Sequence, residues 1–194
     1  MAEHEMKSTR LEAFSDGVIA VIITIMVLEM HVPEMHGMAG FVTILPRLGI
    51  YALSYLMVAI YWINHHDVVG RIEVVNYRVL WTNLIWLFAA SLIPFSTDYI
   101  EEHHFDSFST ALYAAVMLIA GSAFFLLRSA VDGLRRSRGE EIPKADLSEM
   151  VKHAASLVLY LAAIPMAYYK PAFSLALVLI VTLIWIAPKF GTRH

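Results

Sequence analysis

RLEAFSDGVIAVIITIMVLEM, residues 10–30, is the stretch on which the reading of the whole chain turns. It is long and apolar enough to cross a bilayer, for which about 20 predominantly apolar residues suffice. Asp16 nevertheless lies inside it, and Thr24 interrupts its isoleucines. A carboxylate at the centre of a spanning helix costs about 2.5–3.5 kcal/mol, less near the interface, and such groups face protein or a water-filled cavity. Arg10 is the obvious partner for Asp16 but stands on the wrong side. Six residues at about 100° each separate the two by about 240° and about 9 Å along the axis. Asp16 is therefore expected to find its partners on other helices.

The remainder of the chain repeats the apolar pattern. Of its 194 residues 59% are hydrophobic, and the mean hydropathy is +0.64. Neither Asp, Glu, Lys nor Arg occurs in 48–66, 79–97, 107–127, 153–169 or 171–188. Together with the first stretch these windows predict six transmembrane helices, at about 9–31, 46–66, 76–98, 107–130, 150–168 and 171–188. The expected fold is an all-α membrane protein with 1–194 as a single domain. An outer-membrane barrel would instead alternate polar and apolar residues in strands of about 10. The absence of cysteine excludes disulfides and thiolate chemistry. The N-terminus mixes acids with bases and precedes no small-x-small site, so the first stretch reads as a retained span and not as a cleaved signal.

Basic residues set the expected orientation. With six crossings, Lys7, Arg10, Arg71, Arg78, Arg128, Arg135, Arg136, Arg138, Lys144, Lys152, Lys189 and Arg193 fall on one side, leaving only Arg47 and Lys170 on the other. Both termini are predicted to be cytoplasmic, in a multi-pass protein of the cell membrane. The outer side carries Glu29, Glu34, Asp98, Glu101, Glu102 and Asp106, a balance that attracts cations. The connection 31–45 is expected to be an external loop. Pro94 is expected to kink or end the third helix. Trp62 reads as one of several residues placed for an interfacial belt.

Depth along the helices places Ser15 and Asp16 near Asn64, His65, His66, Asn76, Arg78, Trp81 and Asn83. A buried polar knot built from Ser15, Asp16 and some of these is the reading that satisfies the carboxylate. The competing reading is a carboxylate that merely caps or snorkels. Above Asp16, Leu28 lies about 20° from Val21 around the helix, Ile25 about 40° and Thr24 about 60° on the other side. Gly17 and Phe14 share the sector. An apolar stripe of this kind is ordinarily packed core, and a membrane threonine ordinarily bonds its own backbone. His65 and His66 point about 100° apart and are poorly placed to chelate one ion. His103 and His104 sit among Glu101, Glu102 and Asp106 in what reads as a solvated acidic loop. No metal site, cofactor or catalytic set emerges, and an enzyme is not expected. Lipid and ions, not nucleic acid, are the partners this composition implies.

The segment RLEAFSD matches the Arg-x-x-x-Phe-Ser-Asp signature of the transmembrane protein 175 family of lysosomal and prokaryotic potassium channels. The signature is carried here by Arg10, Phe14, Ser15 and Asp16. The likeness continues through GVIAVIITIMVLEM and into NHH and NYRVLWTNLIWLFAASLIPFST. The resemblance implies that the first helix of each six-helix unit lines a central pore. With one signature per chain it also implies a homotetramer passing K+ and other monovalent cations. It further implies constrictions at Val21, Ile25 and Leu28 with Thr24 as a polar layer between them. Val21 is smaller than the isoleucine or leucine common at that position in the family. Arg10, Phe14, Ser15, Asp16, His66 and Asn83 are then the network that pins the first helix. The rival reading is a secondary transporter, proton- or cation-coupled. It would call for titratable groups and broken helices at the midplane, whereas the acids here lie near the helix ends.

Overall fold

The computed structural model describes residues 6–142 and 144–186. Helix α1, Ser8–Leu28, contains no proline, and its 21 residues at about 1.5 Å each match a hydrocarbon core of about 30 Å. Its buried residues are Ser8, Leu11, Ser15, Ile19, Ile22 and Met26. They recur every three or four positions, so one stripe faces the bundle and the opposite face looks outward. The connection expected to be loop contains a short helix, α2, Gly37–Thr43. A Cβ on Gly40 would collide with the carbonyl oxygen of Met35, so the chain doubles back there only because no side chain intervenes.

Helix α3, Leu45–Val69, carries Pro46 in its first turn, where a missing N–H costs nothing. The helix predicted at 76–98 is two, α4 (Tyr77–Ala90) and α5 (Leu92–Glu102), separated at Ser91. Pro94 accounts for the break, since it cannot donate to the carbonyl four residues back at Ala90 and its ring crowds that group. Helix α6, Ser107–Ser137, starts where the Asp106 carboxylate accepts a 2.6 Å bond from Ser109 N. That backbone bond holds Asp106 below the usual carboxylate pKa. Helices α7, Lys144–Tyr169, and α8, Pro171–Ile186, complete the order.

Among the described residues, five segments are long and apolar enough to cross a membrane: α1, α3, the α4–α5 pair, α6, and α7 from Glu149 onward. This is a multi-pass membrane architecture. Helix α8 is apolar but only 16 residues long as described, shorter than the span predicted there. The last predicted residues of that span, together with Lys189 and Arg193, lie outside the described residues. A strand pair that the sequence does not predict joins β1 (Met6–Lys7) to β2 (Val74–Val75), antiparallel, with Met6 opposite Val75 and Lys7 opposite Val74.

Helix α6 is the spine. Tyr113, Met117, Ala120, Phe124, Leu127 and Val131 are fully buried along it. Phe124 meets Trp86 at 5.3 Å and Tyr61 at 5.5 Å between ring centroids. On the side toward α7, a Cβ on Gly121 would lie 3.1 Å from the Leu157 side chain. Small residues there let two helices approach closely, the usual basis of packing where lipid removes the hydrophobic driving force. At the far end of α6, Arg128 is 1% exposed and donates a 2.6 Å bond to Glu149 on α7. Asp132 and Arg71 stand 3.9 and 3.7 Å from this pair.

Removing one partner of a buried ion pair strands the other. Glu149→Gln and Arg128→Gln should each destabilise the fold by about 3–5 kcal/mol. Thermal unfolding in detergent measures both. Equal melting of parent and single variants would show that the pair does not hold α6 to α7.

Candidate functional site

The site begins with what fixes α1. Ser15, on its buried stripe, donates to the carbonyl of Leu11 at 2.8 Å. Its oxygen is then free to accept, and Asn83 Nδ2 on α4 donates to it at 3.0 Å. With its nitrogen so engaged, Asn83 turns its oxygen to His65 Nε2 on α3, at 2.8 Å. His65 Nε2 must therefore carry the proton. All three side chains are buried, and the imidazole stacks on Trp86 at 4.9 Å. One continuous chain of donors and acceptors thus links α1, α4 and α3. Asp16, one residue on, is exposed to the other side and accepts a 2.8 Å bond from the Trp62 indole of α3.

The network joins Ser15, His65 and Asn83 of the polar knot expected from helix depth, and differs in membership from the one the resemblance implies. His65, not His66, makes the link, and His66 is exposed. Arg10 and Phe14 are exposed and lie outside it, Phe14 at 54%. Asn76 instead caps α4 by accepting from Val79 N at 2.9 Å, and Asn64 bonds the carbonyl of Ile60 in its own helix. The partnership of Trp62 with Asp16 carries no sequence signal beyond similar depth.

With the Ser15 stripe turned inward, Gly17, Val21, Thr24, Ile25 and Leu28 point out of the chain. Val21 is 53% exposed, Ile25 40% and Leu28 79%. Within the chain this face is not packed core. Thr24 Oγ1 donates to the carbonyl of Val21 at 2.9 Å, which leaves its lone pairs directed outward. Beside the face runs a groove of about 610 Å³ between α1 and α5, lined by Phe14, Gly17, Val21, Ile25, Pro94 and Phe95. Beyond Leu28, His31, Asp98 and Glu102 gather with one ligand-type atom each within 4.8 Å. The acidic loop does not assemble as a unit: Asp106 caps α6, and His103 Nδ1 lies 2.9 Å from the Tyr99 carbonyl.

The site is thus a helical membrane bundle whose first helix is pinned by a polar network on one side and bare on the other. The model of the endosomal/lysosomal potassium channel TMEM175 family matches residues 10–94, from the signature Arg10 to the Pro94 break. A potassium channel of Chryseobacterium sp. (strain P1-3) is 38% identical over 184 residues, 94% of each chain. A potassium channel of Streptomyces collinus is 33% identical over 126 residues, 61% of each. The fold is that of a lysosomal potassium-selective channel TMEM175 homolog from Chamaesiphon minutus, whose crystal structure superposes with a TM-score of 0.76 at 22% identity, covering 92% of this chain and 95% of that one. The chain belongs to the TMEM175 family, and specifically to its prokaryotic branch. That family is one of ion channels and not of enzymes.

Asn83→Ala should cost about 1–3 kcal/mol, because it leaves the buried His65 N–H without an acceptor. Asp16→Asn retains an oxygen for Trp62 and should be milder than Asp16→Ala. Thermal melting of the purified variants ranks them. If Asn83→Ala melts with the parent, the network does not hold α1.

Proposed function

We propose that this protein is a potassium-permeable cation channel of the cell membrane, in which four copies surround a path lined by α1. The observation that carries the reading is the outward face of Val21, Thr24, Ile25 and Leu28 on a helix whose opposite stripe is locked into the bundle. One such helix cannot enclose a path, and four related by symmetry would. The curated relatives named as potassium channels supply the ion.

Each subunit contributes six spans, counting α8, with both termini cytoplasmic as the Lys and Arg distribution requires. Val21, Ile25 and Leu28 would each form a ring of aliphatic side chains. Such a ring has nothing to hold water or a cation, and it opposes ions by dewetting until the helices part or rotate. Thr24 lies between the rings. Since its proton is committed to the Val21 carbonyl, its hydroxyl faces the path as an acceptor only, suited to replacing part of a cation's hydration shell. The sequence contains no TVGYG segment, so preference for K+ over Na+ should be weaker than carbonyl-lined filters achieve. Glu29, Asp98 and Glu102 at the outer end would concentrate K+ and other monovalent cations near the mouth.

Native mass spectrometry of the purified protein should show a homotetramer, and a monomer or dimer as the sole species would remove the shared path. Ile25→Asn and Leu28→Asn should hydrate the constriction and raise K+ flux into liposomes severalfold. Thr24→Ala should lower K+ preference while leaving assembly intact. Unchanged or reduced flux in both Asn variants, with tetramers intact, would take this face out of the pathway. Discrete current steps in single-channel recordings separate a channel from a coupled transporter.

A further inference from the structure

A second groove, of about 660 Å³, opens at the other end of α1, where the start of α1, the start of α4 and the end of α6 come together around the β1–β2 ladder. Three basic residues line it: Lys7, Arg10 and Arg138. The Arg138 guanidinium is held across it by donating to the Val74 carbonyl at 3.2 Å. None of the described residues lining the groove is acidic. Arg135, just outside it, is engaged by Glu140 at 2.9 Å.

The positive charge here is placed against the preference of the helices. Neither α1 nor α4 has an acid in its first turn, and Lys7 caps α1 without a side-chain bond. A helix N-terminus already carries about half a positive charge, so cations are disfavoured there and anions favoured. Among the described residues lining the groove, the fold therefore concentrates basic charge at one spot with no acid beside it. The rest of the lining is largely apolar, with Val75 buried and Leu80 and Leu134 half-buried. The start of α1, the start of α4 and the end of α6 meet at this groove, so it lies at an end of the bundle and not at its middle.

We infer that this groove binds an anionic phospholipid, its phosphate among Lys7, Arg10 and Arg138 and its acyl chains against Leu80 and Leu134. A cationic head over an apolar floor fits that chemistry, and clustered basic residues at a membrane surface attract such headgroups. The inference rests on the membrane placement above and not on conduction. A channel that conducts but holds no lipid here overturns this inference alone.

The test is native mass spectrometry of the purified full chain with phosphatidylglycerol or phosphatidylcholine added. The parent should retain phosphatidylglycerol well above phosphatidylcholine. Lys7→Gln/Arg138→Gln should lower the retained phosphatidylglycerol about tenfold to thirtyfold, as expected for two cations beside an anionic headgroup. Arg136→Gln, exposed and outside the groove, should retain lipid as the parent does. Lys7→Gln alone leaves the Arg138–Val74 bond intact and should show a smaller loss, which covers any folding defect of the double variant. Equal retention of the two lipids by the parent, or full retention by the double variant, overturns the inference. So does complete displacement of phosphatidylglycerol by inorganic phosphate, which would mark a simple anion site with no use for acyl chains.

Discussion

The orientation of α1 depends on one buried amide. Asn83 has an acceptor and a donor at opposite edges of one plane, and the structure uses both, toward His65 and toward Ser15. In hydrocarbon no water replaces either bond, so a rotation of α1 about its own axis would strand two or three polar groups at once. That constraint settles which stripe of α1 is inside. The outward display of Val21, Thr24, Ile25 and Leu28 follows from the inward placement of Ser15.

The bundle is unevenly held. Helices α6, α7 and α8 form its densest part, with the close approach at Gly121, the aromatic cluster around Phe124 and the Arg128–Glu149 pair. Helix α1 packs instead on α3, α4 and α5, through a narrow stripe and a few hydrogen bonds. A dense body carrying one lightly attached helix suits the proposed arrangement, in which that helix meets copies of itself. Local stability is lowest where few apolar contacts are buried.

Much of this is legible in the residues. The charge-free windows locate the helices, and the Arg-x-x-x-Phe-Ser-Asp signature points to the family that the relatives establish. The resemblance names His66 where His65 makes the bond, because adjacent residues differ by about 100° and only His65 faces Asn83 on α4. The signal is present in the stripe Ile50, Ser54, Met57, Tyr61, His65 and Val68, all buried, which passes through His65 and misses His66. Arg128 and Asp132, one turn apart in an apolar helix, likewise announce an internal partner, although the basic run that follows them reads as soluble. The split at Ser91 follows from Pro94, but proline fixes where a helix is interrupted and not whether it ends. The β1–β2 ladder is only two residues per strand, too short for any periodicity to reveal.

That ladder has a mechanical consequence. Through the pairings Met6–Val75 and Lys7–Val74, and through Ser8 N donating to the Glu73 carbonyl at 3.0 Å, the first turn of α1 is stitched by backbone to the connection between α3 and α4. The helix is thus clamped at its base and less constrained toward Leu28, like a cantilever. Displacement of its tip tilts it about a fixed root. Displacement of its root must drag the α3–α4 connection along, so a force applied to that connection is delivered to α1 as leverage.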